Sequence, residues 1–183
     1  AWKNKNTFSW EILTGTDSFN QCIITKPVLT TQPRVTTSSI TRLTDDNIHG
    51  AVYEWFNNPT LAQNTYGGGK PIGQWDVSGV TDMTSLFGSS IIRKGFDKQV
   101  PEVLTQEQVT SFNEDLSGWN VSNVKYMSLM FNECNAFNKN LSSWNVSNVE
   151  SMLFMFYRCK SFDQDLSGWN VSNVINFIGM FWE

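Results

Sequence analysis

The 183-residue sequence has few of the residue types on which most catalytic and metal sites depend. It contains one histidine, His49, and three cysteines, none of them in a CxxC pair. A single imidazole excludes multi-histidine metal sites and histidine relays, and three cysteines are too few for a disulfide scaffold. No GxGxxG or P-loop motif is present. We therefore predict a protein that is not an enzyme, with no catalytic residue, no metal and no cofactor.

Charged residues and long apolar runs are also scarce. Lys and Arg number 13 and Asp and Glu number 17, which gives a formal net charge of −4. Phosphate binding needs a cationic face, so we expect no nucleic-acid partner. No apolar run approaches the roughly 20 residues that cross a bilayer, so we expect no membrane span. Hydrophobic residues nevertheless make up 40% of the chain, which is enough for a packed core.

A 25-residue repeat fills the second half of the chain. Trp119, Trp144 and Trp169 mark its copies, each inside the segment L-S-x-W-N-V-S-N-V. A diverged earlier copy, I-G-Q-W-D-V-S-G-V, surrounds Trp75. A unit of this size is too small to bury a core of its own, so the repeats must stack on one another.

The spacing of apolar residues changes within each repeat. Trp119 and Val121 alternate with polar residues, which predicts a short strand over 116–122. After Val124 the apolar residues recur at three and four positions, which predicts a short helical segment. A parallel strand plus a helical segment is the leucine-rich-repeat type of coil. We therefore predict an α/β solenoid of such coils, with the tryptophans in one interior ladder.

The repeat unit also carries a family resemblance. The pattern F-N-x-D-L-S-x-W-N-V-S-N-V-x-x-M-x-x-M-F-x-x-C stands at 112–134, and again at 137–159 with Asn140 in place of Asp115. It closely resembles the repeat of the BspA-like leucine-rich-repeat surface proteins, over about half of the chain. The resemblance implies an extracellular or cell-surface protein connected with adhesion, host binding or surface coats, and it supplies no catalytic residue.

Three segments are predicted along the chain. Residues 1–32 are a β-prone extension, 33–71 a helical cap, and 72–183 the solenoid, with an insertion at about 88–111. A cap is needed because the first coil would otherwise expose its apolar interior. Thr44 is the predicted N-cap of the cap helix.

The outward polar residues of the predicted strands form the best candidate ligand face, since they present amides and hydroxyls at a regular spacing suited to glycans. We weigh a structural role more heavily, because stacked Asn and Ser side chains can satisfy one another's hydrogen bonds. The face comprises Asp76, Ser78, Asn120, Ser122, Asn145, Ser147, Asn170 and Ser172.

Four asparagines lie in N-x-S sequons, which accept glycans in a eukaryotic secretory route. They are Asn120, Asn140, Asn145 and Asn170. Strand neighbours about 4.8 Å apart cannot all carry branched sugars. We therefore expect Asn140, in the turn before its strand, to be the better acceptor.

Cys134 and Cys159 occupy the same repeat position. Their Cα atoms are therefore predicted to lie about 5 Å apart, a distance that permits a disulfide. Free buried thiols are slightly favoured, because a position set by the repeat needs no pairing, although an extracellular location would allow oxidation.

The sequence stops at Glu183, inside a repeat. Such an end would expose a strand edge and Trp169. We expect either that the natural chain continues or that another protomer covers this end.

Two functions stay open at this point. In the first, the protein is a structural subunit of a surface filament, coat or layer, and its protomers self-associate head-to-tail or by strand addition. In the alternative, it is a cell-surface adhesin that binds a host protein or glycan through the Asn/Ser strand face. Both place the protein outside the cell.

Overall fold

The computed structural model describes residues 39–89 and 103–183. The predicted extension 1–32 and much of the predicted insertion lie outside the described residues. The described elements are α1 (Ile48–Asn57), α2 (Pro59–Tyr66), a single 3₁₀ turn (Ile72–Gln74) and α3 (Gln106–Ser111). Thr105 caps α3 in a capping box with Gln108.

The repeats stack as four coils built from consecutive turns. In coil 2 the Trp119 N–H donates to the Leu116 carbonyl at 3.0 Å, and the Val124 N–H donates to the Val121 carbonyl at 2.9 Å. The same two turns recur in coils 3 and 4. We define coil 1 as 72–89, coil 2 as 112–136, coil 3 as 137–161 and coil 4 as 162–183.

The predicted α/β solenoid of leucine-rich-repeat-like coils is wrong. The described part of the chain contains no strand, and the segment 116–122 is made of turns instead. Within 39–89 and 103–183, parallel pairing is limited to isolated single-residue bridges, which join Asp82 to Tyr126, Tyr126 to Ser151, and Ser151 to Asn176. The predicted helical segment after Val124 is also a run of turns.

Left-handed backbone conformations explain why each coil is neither a strand nor a helix. A residue with φ near +60° interrupts both structures. Two repeat positions adopt this conformation: one holds Ser85 (55°), Leu129 (60°), Phe154 (53°) and Gly179 (59°), and the other holds Glu133 (65°) and Arg158 (55°). Turns that close over three residues bring an apolar side chain inward at each corner. They therefore produce the same three-residue spacing that a helix would.

Two columns of phenylalanine rings run through the core. Rings of consecutive coils stack nearly parallel, with centroids 5.4 to 5.9 Å apart. The columns interlock, since Phe131 of one lies 4.2 Å from Phe137 of the other. One column consists of Phe87, Phe131, Phe156 and Phe181, and the other of Phe112, Phe137 and Phe162.

Buried tryptophans tie each coil to the one before it. The indole N–H of Trp144 donates to the Leu116 carbonyl of coil 2 at 3.0 Å, and that of Trp169 donates to the Leu141 carbonyl of coil 3 at the same distance. A buried indole N–H needs such an acceptor. The repeat thus fixes the register of the stack through a side chain as well as through the backbone.

The chain that precedes coil 1 is fastened to it by polar contacts. The Asp45 carboxylate accepts the Thr81 N–H at 2.6 Å, the Thr81 hydroxyl at 2.7 Å and the Asp82 N–H at 3.0 Å. Nε2 of His49 donates to the Thr84 carbonyl at 3.0 Å. α1 therefore lies against coil 1.

The start of α1 differs from the prediction. The helix begins at Ile48 with Asn47 as its N-cap residue, so Thr44 does not cap it. The Thr44 N–H instead donates to the Asn47 side-chain oxygen at 2.9 Å. The local hydrogen bond holds 44–47 as a turn ahead of the helix.

Replacing Asp45 by alanine should detach the pre-helical segment from coil 1. Burial raises the pKa of Asp45, but the hydrogen bonds from Thr81 and Asp82 outweigh it, so the pKa lies below its ordinary value of 3.8. A carboxyl whose pKa is lowered by folding stabilises the fold above its unfolded pKa. We expect a loss of about 1 kcal/mol at neutral pH, because the carboxylate is largely exposed.

Urea denaturation at neutral and acid pH checks this prediction. The difference between Asp45→Ala and the unmodified protein should shrink as the pH falls below 3.8. Asp46→Ala is the control, since Asp46 is exposed and contributes none of the hydrogen bonds to coil 1. A difference that stays constant with pH would contradict the assignment to the carboxylate.

Candidate functional site

The predicted Asn/Ser face lies on one side of the stack, and its side-chain oxygens hold turns. In every coil the Asp or Asn accepts the N–H of the Ser two residues later, which is an Asx turn. The pairs are Asp76 with Ser78 (3.0 Å), Asn120 with Ser122, Asn145 with Ser147 and Asn170 with Ser172 (3.2 Å each). Hydrogen bonds from the Ser78 hydroxyl and N–H lower the pKa of Asp76.

A second row of asparagines, which the sequence reasoning missed, joins the coils. Each side-chain amide donates to a serine carbonyl of the preceding coil: Asn123 to Ser78 at 2.9 Å, Asn148 to Ser122 at 2.7 Å and Asn173 to Ser147 at 2.6 Å. The signal was present in the sequence, because the second Asn of N-V-S-N-V is the same in all three regular copies. Polar groups on this side thus serve the stack.

The sequon residue Asn140 lies in a turn of the same kind. Its side-chain oxygen accepts the Ser142 N–H at 2.8 Å. The repeat equivalents Asp115 and Asp165 accept from Ser117 and Ser167 at 2.9 and 2.8 Å. All four sequon asparagines are exposed, and their glycosylation stays a prediction.

Cys134 and Cys159 are buried free thiols. Their sulfur atoms contact the Phe87 carbonyl at 3.5 Å and the Phe131 carbonyl at 2.9 Å, respectively. Burial raises the pKa of Cys159 to about 12 and raises that of Cys134 well above its ordinary value of 9.0. The choice between free thiols, which the sequence slightly favours, and a disulfide stays a prediction.

Both thiols should resist alkylation in the folded protein, because only the thiolate attacks iodoacetamide. At about pH 8 we expect neither Cys134 nor Cys159 to be labelled unless the chain is unfolded first. Peptide mapping by mass spectrometry reads each site separately, with the urea-unfolded protein as the control for reactivity. Equal labelling of folded and unfolded protein would refute the burial, and failure to label the unfolded, unreduced protein would reveal a disulfide.

A groove of about 300 Å³ lies on another flank of the stack. Residues of coils 2, 3 and 4 form it, together with Ser89 at the end of coil 1. We call it the flank groove, and its main lining residues are Leu129, Asn132, Phe154, Tyr157, Arg158 and Trp182. It is mostly apolar with a few polar groups, as is usual for ligand sites.

The aromatic rings of the flank groove meet at steep angles. The Tyr157 ring makes an angle of 74° with the Phe154 ring and of 90° with the Trp182 ring. The Arg158 guanidinium lies over Tyr157, 5.0 Å from its centroid. Arg158 also pairs with Glu133 at 3.2 Å. The groove is therefore a concave aromatic corner with an ion pair at its rim.

Two amides of coil 2 on this flank have side-chain groups that no described residue pairs. Asn132 is only 3% exposed, yet no hydrogen bond joins its side chain to another described residue. The side-chain oxygen of Asn135 is buried without a partner among the described residues, in a polar depression that shares Glu133 and Arg158 with the flank groove. Unpaired buried amides are uncommon and mark this flank as the candidate site.

Metal clusters and membrane-spanning helices are both absent from the part of the chain that the structure describes. Over 39–89 and 103–183, no three His, Cys, Asp or Glu side chains are grouped so as to hold a metal ion. Within the same ranges, no helix combines the length and hydropathy that crossing a bilayer requires.

Comparison with known proteins gives a family match. A family model described as a Mycoplasma protein of unknown function, DUF285, matches residues 57–102 and 98–183. No curated protein and no solved structure matches the chain.

Proposed function

This chain belongs to the DUF285 family, described as Mycoplasma proteins of unknown function, and we propose that it is a non-enzymatic, extracellular adhesin. Its binding site is the flank groove, and its partner is a host protein or glycan. The finer kinship, with the BspA-like surface proteins, is part of the same proposal and rests on the repeat pattern.

The observation that carries the proposal is the side-chain amide of Asn132. This amide lies inside the flank groove, and no described residue forms a hydrogen bond with it. The amide is not among the fully buried atoms that lack a partner, so it opens into the groove, where a ligand can pair with it. The Asn/Ser face is less suited to the role, because its side-chain oxygens already accept turn hydrogen bonds.

The non-enzymatic part of the proposal rests on where the titratable groups are engaged. Nε2 of His49 donates to a backbone carbonyl. Asp45 holds the pre-helical segment to coil 1, and Asp115 and Asp165 hold Asx turns. Groups engaged in this way serve the fold.

Binding to an array of purified extracellular-matrix proteins and to a glycan array tests the proposal. We expect the unmodified protein to bind at least one component, and Tyr157→Ser to lose that binding. Asn145→Ala, on the Asn/Ser face, is the matched control and should bind as the unmodified protein does. If only Asn145→Ala loses binding, the binding site is the Asn/Ser face and not the flank groove. If the unmodified protein binds nothing on either array, the adhesin proposal is wrong.

A structural subunit of a filament, coat or layer is the second candidate. The observation in its favour is the apolar surface of coil 4, where Phe177 and Phe181 are 42% and 57% exposed. Their equivalents in coil 3, Met152 and Phe156, are 0% and 2% exposed because coil 4 covers them. A second copy of the chain placed against coil 4 would bury the same kind of surface.

Light scattering and electron microscopy of the purified protein test this second candidate. Self-association that Phe181→Asp abolishes would support it. A protein that stays monomeric at every concentration would exclude it.

A further inference from the structure

We infer that the flank groove binds an extended peptide segment of a partner protein, with one apolar side chain in its aromatic corner and one peptide group on Asn132. The inference rests on the proposed function and names the class of partner for the same groove.

The hydrogen-bonding groups of the groove match a peptide backbone. The primary amide of Asn132 offers both a donor and an acceptor, and neither is engaged with another described residue. A peptide group presents the complementary pair, a carbonyl and an N–H. One peptide group can therefore pair with both the donor and the acceptor of this amide.

The shape of the aromatic corner favours an apolar side chain over a sugar ring. A sugar ring stacks on an open, flat aromatic face, but the Tyr157 ring carries the Arg158 guanidinium 5.0 Å from its centroid. Trp182 stands at 90° to Tyr157. A corner of this kind encloses a compact side chain such as Leu or Ile, or receives an aromatic ring edge-to-face.

The neighbouring depression extends the path that the same peptide can follow. The Arg158–Glu133 ion pair separates the two sites, and the buried Asn135 oxygen beyond it lacks a donor among the described residues. Successive peptide groups of an extended chain recur every 3.3–3.6 Å or so. A peptide that leaves the aromatic corner can cross the ion pair and continue along the depression beside Asn135.

The experiment selects ligands for the full chain from a phage library of random dodecapeptides. The selected peptides are synthesised and titrated by fluorescence anisotropy. We expect them to share one Leu, Ile, Phe or Trp, and Asn132→Leu to weaken their binding by about tenfold or more. The melting temperature of Asn132→Leu should stay the same or rise, because the substitution breaks no hydrogen bond to a described residue and adds an apolar side chain to a mostly apolar groove.

Asn148→Leu is the matched control. Its amide donates to the Ser122 carbonyl at 2.7 Å, on the side that carries the second asparagine row. The melting temperature should therefore fall while peptide binding is kept. Trp182→Ala provides a second test of the groove, since this side chain is 64% exposed and its removal should weaken binding without unfolding the protein.

Selected peptides that bind Asn132→Leu and Trp182→Ala as tightly as the unmodified chain would overturn the inference. Glycan-array binding that depends on Asn132, with no peptide selected, would also overturn it while leaving the adhesin proposal standing. Failure of peptides, glycans and host proteins alike would overturn both.

Discussion

Replacing Phe131 by alanine should lower the free energy of unfolding by about 4 kcal/mol. The ring is fully buried in coil 2. It stacks on Phe87 and Phe156 at 5.6 and 5.4 Å and on Phe137 at 4.2 Å. Its removal leaves a cavity that the stacked rings cannot fill without breaking the register of both columns.

Phe181→Ala is the matched control for this change. Phe181 occupies the same repeat position in coil 4 and stacks on Phe156 at 5.5 Å, but it is 57% exposed. Its truncation should cost less than about 1 kcal/mol, because it loses little buried area. Chemical denaturation measures both values. Equal losses for the two variants would show that the stacking of rings, rather than their burial between coils, determines the stability.

The second large effect is expected from Gly73→Ala. A Cβ atom at Gly73 would collide with the carbonyl oxygen of Asp115 in the next coil. The obstacle is backbone, so no side-chain rotation relieves it, and coils 1 and 2 must move apart. We expect a loss of about 3 kcal/mol or more, measured by thermal or chemical denaturation.

Two other glycines make a graded series with Gly73. At Gly118 an added Cβ would lie 2.6 Å from the Gly73 carbonyl oxygen, whereas at Gly168 it would meet nothing within 4 Å. The cost of substitution by alanine should therefore decrease from Gly73 to Gly118 to Gly168, where it should be close to zero. A large loss at Gly168 would contradict this order.

The sequence predicted the stacking correctly but misassigned the conformation of each repeat. Alternation around Trp119 suggested a strand, and the three-residue spacing after Val124 suggested a helix. Consecutive turns produce both patterns at once, because each closes over three residues and directs its corner side chain inward. The left-handed conformation of Leu129 and Phe154 could not be expected, since bulky residues rarely adopt it.

The flank groove was not predicted from the sequence. The Asn/Ser face was predicted as a ligand face because its residues recur in every repeat. Its side-chain oxygens instead accept hydrogen bonds within turns. The residues of the flank groove are not repeated: Leu129 and Phe154 occupy one repeat position with different side chains, and Glu133 and Arg158 occupy another. Periodicity reveals what every coil shares, and it does not detect a site made from differences between coils.

The sequence by itself determined that the repeats stack with a 25-residue period, and that the recurring Trp, Val and Phe positions contribute the same apolar side chain to the core in each regular copy. A unit too small to bury its own core leaves no other arrangement. Only the tertiary structure decided that the coils are turns, which asparagines join them, and which side chains meet in the flank groove. These features depend on contacts between residues about one repeat apart, and such contacts form only when neighbouring coils are in register.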